Sequence, residues 1–258
     1  MRKHFGPVLA TVIVSAHVLV APGASADVIT FSDTEFVDAN WSAFELTDTS
    51  PSNSFVFTGA QLLAGGNPGA FRHVTQAIDE VPPPNGPSPV NIQSAHVFLP
   101  GSFDPGEDGT FVSLDWSFDG ISTDSTAGAI FYGLLAFQDG KVFLSANASG
   151  NVLNGESWQE VAASDLGALD FTPFDGVSVL DLSDVGGPVT FGFLASNGTF
   201  GLSFNDGGVD NFLVRITTFR DRVPGVPEPG ALALVLAGFL GLIVTARRHG
   251  LRHPRPAA

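Results

Sequence analysis

The sequence predicts an all-β fold, a two-sheet jelly-roll sandwich, flanked by an N-terminal signal peptide and a single C-terminal transmembrane helix. Three observations predict the sandwich. Short apolar or β-branched runs alternate with clusters of Gly, Asn, Asp and Pro. Nothing between residues 27 and 224 sustains a helical period. The phenylalanines, 23 against one Tyr and three Trp, alternate with polar residues inside the runs, as a strand with one buried face requires.

Taken in order, the expected strands are Val28 to Ser32, Ser54 to Thr58, Val90 to Leu99, Phe111 to Phe118, Ala129 to Gln138, Lys141 to Ala146, Ser157 to Ala162, Val189 to Ala195, Thr199 to Asn205 and Phe212 to Phe219. Asp139-Gly140 and Asn197-Gly198 each separate two apolar runs and suit type I′ hairpin turns. The stretch Val81 to Pro89, VPPPNGPSP, has too much proline for strand or helix and reads as a surface loop. In Phe111 to Phe118 the even positions Val112, Leu114, Trp116 and Phe118 form a wholly apolar face, which assigns them to the core. Ten short strands with turns at this spacing argue for two packed sheets.

The two ends read as addresses. Arg2, Lys3 and His4 precede an apolar core from Phe5 to Val20 and the small-residue site Ala24-Ser25-Ala26, the pattern of a signal peptide over 1–26 with the mature chain starting at Asp27. At the other end Ala231 to Ala246 carries no charge and has no polar face. As a helix it would run roughly 24 Å, and the flanking Gly230, Pro229, Arg247 and Arg248 let it span a bilayer. Arg252 and Arg255 extend the basic side, which the positive-inside rule leaves in the cytoplasm. Val226-Pro227-Glu228-Pro229 stands just before this run, held extended by its prolines.

Motif, short apolar helix and arginine cluster, in that order over residues 225–258, resemble the sorting signal of PEP-CTERM proteins. Val226, Pro227, Glu228, Pro229, Arg247 and Arg248 match the pattern directly, and the tail His249 to Ala258 is longer than the usual stub. The resemblance implies export, transient anchoring in the inner membrane, and processing near the motif by an exosortase, a membrane protease-transpeptidase of bacteria that make exopolysaccharide. It therefore implies a membrane, an exosortase-type protease and exopolysaccharide as partners, and a cell-surface or matrix destination.

The ectodomain, 27–224, is long enough for one β-rich domain and holds no cysteine, so its own core must hold it together. Five Lys and Arg stand against 25 acids there, a formal balance of −20, which opposes binding to nucleic acid or anionic lipid. Three of its stretches resemble extracellular laminin-B-like and carbohydrate-binding-module jelly rolls: GGNPGAF at Gly65 to Phe71, SWQEVAASDL at Ser157 to Leu166, and GGVDNFLV at Gly207 to Val214. In such domains the Gly-Asn-Pro-Gly turn follows an early tryptophan, here Trp41, and an Asp-Asn pair leads into the last strand.

Candidate chemistry is sparse. His73 and His96 are the ectodomain's histidines, and neither a G-x-S-x-G elbow nor an H-E-x-x-H pair accompanies them. The chain is therefore expected not to be an enzyme, although a glycosidase needs only two carboxylates. Calcium suits an exported, cysteine-free, acidic sandwich. Asp210 is a candidate ligand, with Asp33 beside it if first and last strands pair; Asp210-Asn211 also reads as an Asx turn opening the final strand. Asp104 to Gly109, DPGEDG, has Gly106 where a calcium loop wants an oxygen and reads as a turn.

The leading function is an exported surface or matrix protein associated with exopolysaccharide. The alternatives are a carbohydrate-binding lectin, for which Trp41, Tyr132 and Trp158 would form the stacking platform, and a matrix polysaccharide hydrolase.

Overall fold

The computed structural model describes residues 25–48, 55–78, 90–125, 129–155, 157–199 and 203–220. The Val81 to Pro89 loop, the signal peptide up to residue 24, and the whole of 225–258, with Val226 to Pro229, the apolar run, Arg247 and Arg248, lie outside the described residues. Among the described residues no helix is long and apolar enough to cross a membrane.

Twelve strands are described: β1 (Ser25–Asp33), β2 (Trp41–Asp48), β3 (Phe55–Gly66), β4 (Gly69–Ile78), β5 (Val90–Phe98), β6 (Thr110–Ser125), β7 (Ala129–Gln138), β8 (Lys141–Leu153), β9 (Gln159–Leu166), β10 (Phe171–Pro173), β11 (Val189–Thr199) and β12 (Ser203–Arg220). They form two six-stranded antiparallel sheets. The first sheet has the order β3-β4-β12-β6-β9, with β1 also paired to β12, and the second β10-β8-β7-β11-β5-β2. The first and last strands do pair, Asp33 standing opposite Phe212.

Two aromatic groups tie the sheets together. Trp41 is buried and lies 5.5 Å from Phe36, 5.3 Å from Phe98, 5.6 Å from Phe193 and 5.3 Å from Phe212, ring centre to ring centre. Each such pair adds about 0.5–1.5 kcal/mol beyond the area it buries. Trp116, Phe118 and Tyr132 make the second group, with centroids 4.7 and 5.6 Å apart along it.

Several expectations change. Strands β2, β4 and β10 add to the predicted set. Asn197-Gly198 is not a hairpin turn: both residues lie inside β11, opposite Ile92 and Asn91 of β5. The next strand, β12, belongs to the other sheet, so the chain changes layer here instead of folding back. Asn197 is buried and its amide donates to Asn205 Oδ1, so the residue serves the interior, not a turn. Thr199 to Asn205 straddles the end of β11 and the start of β12. Val112 leaves the predicted core face and is 42% exposed, because it is the extra residue of a bulge in β6, where Phe111 and Ser113 stand opposite the adjacent Thr218 and Thr217 of β12, and the change of parity turns Phe111 inward. Asp139-Gly140 does form the β7–β8 turn, with φ of 51° and 75°.

Between the sheets runs a buried polar seam. Gln76 Nε2 donates to Ser94 Oγ and to the Ala195 carbonyl, each at 2.9 Å, and Asn205 Nδ2 donates to Gln76 Oε1 at 3.2 Å. His96 stacks on Phe193 at 4.7 Å, with Nε2 3.2 Å from Ser94 Oγ and Nδ1 without a partner among the described residues. Arg72, itself buried, reaches out to the exposed Asp38 at 3.0 Å, and its guanidinium carbon stands 5.7 Å from the Trp41 ring centre.

Candidate functional site

The three resembling stretches, far apart in the chain, meet on the outer face of the first sheet. The turn between β3 and β4 carries Asn67, whose backbone N–H donates to Asp210 Oδ2. Asn211 Nδ2 donates to the Asn67 carbonyl at 2.5 Å and to Asp119 Oδ2 at 2.7 Å, while Asn67 Nδ2 donates to the same Asp119 oxygen at 3.2 Å. Trp158 Nε1 donates to the Gly65 carbonyl at 3.3 Å, and its ring meets Phe71 edge-on at 5.4 Å. Phe71 can lie against β12 because residue 208 is glycine: a Cβ there would stand 2.5 Å from Phe71 Cδ2. His73 Nε2 and Asp206 Oδ1 are 2.5 Å apart on the same face.

Asp210-Asn211 is a bulge within β12 and not the start of a strand, with Asn211 at φ 53° and the register with β6 broken between Asp210 and Leu213. The bulge turns Asp210 under the Asn67 turn, where it is fully buried. Burial pushes its carboxyl above the usual range, against the two backbone N–H groups of Asn67 and Asn211 that hold it down. Asp33, the other predicted ligand, is buried at the end of β1 and accepts from the N–H groups of Glu35 and Phe36 and from Trp41 Nε1, each at 2.8 Å. Asp104 caps the short helix α1 (Pro105–Asp108) by accepting from Gly106 N–H at 3.0 Å, the predicted turn. Among the described residues no group of three or more His, Asp or Glu gathers that could hold a metal ion.

Of the three residues expected to stack on sugar, Trp41 and Tyr132 are core residues, 5% and 0% exposed. Trp41 is held in by its bond to Asp33 and by four aromatic neighbours; Tyr132 is held by the bond from its hydroxyl to the Ile121 carbonyl at 3.3 Å. Trp158 alone of the three is half-buried at the surface. His96 sits between the sheets and His73 on the outer face.

From Trp158 the outer face continues as a strip along β9. Glu160, Ala162 and Ser164 are exposed at alternate positions, while Val161 and Ala163 pack on the core. On β6 the matching outward residues are Asp119, Ser117 and Asp115. The strip ends in a cleft of about 330 Å³ lined by Asp115, Ser117, Ala162, Ser164, Leu213 and Arg215. Its floor is small and aliphatic, and its polar groups are one carboxylate, one guanidinium and two hydroxyls. Asp115 and Arg215 are cross-strand partners, and Asp115 Oδ1 also accepts from Asp165 N–H at 3.0 Å, at a bulge where Asp165 takes φ 57°. Sequence reading missed this end of the strip, because single residues on alternating strands carry no motif.

No protein family's model matches the chain, and no curated protein sequence matches it. Solved structures do. One is a family 11 carbohydrate-binding module from Clostridium thermocellum, in complex with a β-1,3-1,4-mixed-linked tetrasaccharide, at 12% identity over 72% of this chain and 94% of that one, TM-score 0.43. A second is the C-terminal family 22 carbohydrate-binding module of Clostridium thermocellum Xyn10B, at 9% identity over 72% and 92%, TM-score 0.38. A third is an exo-β-agarase, at 14% identity over 75% of this chain and 26% of that one, TM-score 0.36. At these identities and scores the likeness is distant.

Proposed function

We propose that the chain is an exported, non-enzymatic surface or matrix protein whose sandwich binds polysaccharide along the outer face of the first sheet. The observation that carries the reading is the half-buried Trp158 at the head of a strip that ends in the Asp115–Arg215 cleft. Sugar recognition combines an aromatic face for the C–H side of the ring with a few fixed polar groups for its hydroxyls, and the strip supplies both. The PEP-CTERM-like signal, Val226 to Pro229 with the apolar run and Arg247-Arg248, supports delivery by an exosortase-type system to an exopolysaccharide layer.

Trp158→Ala tests the binding reading. Trp41 and Trp116 are buried, so ligand-induced changes in tryptophan emission report on Trp158. The wild-type chain should be retarded in gels containing its polysaccharide and should shift its emission on binding. Trp158→Ala should weaken retardation at least about tenfold, the effect of roughly 1.4 kcal/mol, while its β-type far-ultraviolet spectrum and cooperative unfolding persist. Equal retardation of the two would refute the site.

A further inference from the structure

The strip has a length and a charge that narrow what can lie on it. Trp158, just before β9, and Glu160, Ala162 and Ser164 on it succeed one another at two-residue steps, and at about 3.3 Å per residue they span roughly 20 Å. Alanine and serine line the cleft end of the run, and Glu160 is its one long side chain between Trp158 and the cleft.

Its charge is one-sided. Asp119 has Asp210 opposite it on β12 and Glu160 opposite it on β9, a row of three carboxylates across three strands. Like charges placed directly opposite are unfavourable. Asp119 is relieved by the amides of Asn67 and Asn211, and no Lys or Arg among the described residues pairs with Asp119 or Glu160. Arg215 is the single cation of the cleft. Arg72 pairs with Asp38, Lys141 with Asp175, and Arg220 with Asp27 and Asp108. Arg215 is thus the one described Lys or Arg whose side chain makes neither an ion pair nor a hydrogen bond.

We infer, resting on the polysaccharide reading above, that the ligand is an uncharged glycan several sugars long lying along β9, with Arg215 as a donor to its hydroxyls and Asp115, Asp119 and Glu160 as the groups that turn charged glycans away. Guanidinium donates and carboxylate accepts, so Arg215 and Asp115 together complement neighbouring sugar hydroxyls, each of which can do both. A glycan bearing uronic acids would meet that one cation and, close by, the carboxylates of Asp115, Asp119 and Glu160. In water each carboxylate without a counter-charge, at roughly 8 Å from a sugar carboxylate, lowers affinity about twofold. A neutral chain escapes that penalty, so the strip disfavours polyuronates and accepts neutral polymers.

The test uses the full-length chain in a detergent without a sugar headgroup, titrated with neutral gluco- and galactomannan oligosaccharides of increasing length and with polygalacturonate. Neutral binding should strengthen at least about tenfold from monosaccharide to hexasaccharide and stay nearly constant as salt rises from about 0.05 to about 0.5 M. At the lower salt polygalacturonate should bind about fourfold more weakly than the neutral polymers, three twofold penalties offset once by Arg215. Arg215→Met should lower neutral affinity about fivefold or more, and Glu160→Gln should raise polygalacturonate affinity about twofold. Equal binding of the two polymer classes, no dependence on length, or an unaffected Arg215→Met would overturn the inference. Binding to neither polymer class, or neutral binding that Trp158→Ala leaves intact, would instead overturn the polysaccharide site itself.

Discussion

Acidification should unfold the sandwich through His96, by an amount that its surroundings set. The ring is fully buried, stacked on Phe193, and pushed down from the ordinary 6.5 to about 3, first by burial and second by the Arg72 guanidinium. The unfolded chain takes up this proton below pH 6.5, whereas the folded chain does so only near pH 3, so the unfolded state binds more protons throughout that window. Stability due to His96 is therefore complete above pH 6.5 and is lost progressively as pH falls towards 3. At 1.36 kcal/mol per unit, the loss is about 2 kcal/mol by pH 5 and about 3 kcal/mol by pH 4. Urea denaturation of residues 27–222 at pH 7.5 and pH 5 measures it, with His96→Phe as the reference, because that variant keeps an aromatic ring against Phe193 and cannot titrate. Every carboxylate and His73 are common to both proteins, so the difference in their pH dependence isolates His96. The variant should lose about 2 kcal/mol less than the wild type between the two pH values. Equal losses would refute the reasoning.

Two further outcomes follow from other residues. Gly59→Ala should destabilise by about 1–3 kcal/mol, because a Cβ there would stand 2.6 Å from His96 Cε1 and 2.9 Å from Arg72 Nη2; the shift in urea midpoint measures it, and an unchanged midpoint would show that the seam is loosely packed. Glu228→Ala should leave export intact but block trimming, so that intact-mass analysis finds the full tail in the membrane fraction; trimming at the parent rate would reduce the Val226 to Pro229 segment to a linker.

The parts of the fold that sequence made legible are those whose apolar pattern is uninterrupted. Ala129 to Gln138 with the Asp139-Gly140 turn is read residue for residue, because β7 is apolar on both faces and its turn uses positive φ at both positions. Strand β4 escapes notice because Arg72 and Gln76 occupy inward positions and blur the alternation; their partners, Asp38 on one side and Ser94 and Asn205 on the other, are elsewhere in the chain. The same kind of separation hides the site. The three resembling stretches are visible as stretches, but the bond from Asn67 to Asp210 spans 143 residues and no local pattern announces it. Trp41 and Trp158 look alike in sequence, and only the Asp33 carboxylate and the ring of phenylalanines around Trp41 decide which is buried.

The long strand β12 also sets an order of events. Its 18 residues pair with β6 along one edge and, on the other, with β4 over Ser203–Val209 and with β1 over Phe212–Arg220. A chain that emerges amino end first, from a ribosome or a translocation pore, presents β1 and β4 long before the segment that must lie between them. The first sheet cannot assemble until Arg220 is out, and contacts of such sequence separation form slowly. The amino-terminal half of the domain therefore passes through any pore without its sheet and must be kept from aggregating until the final strand arrives.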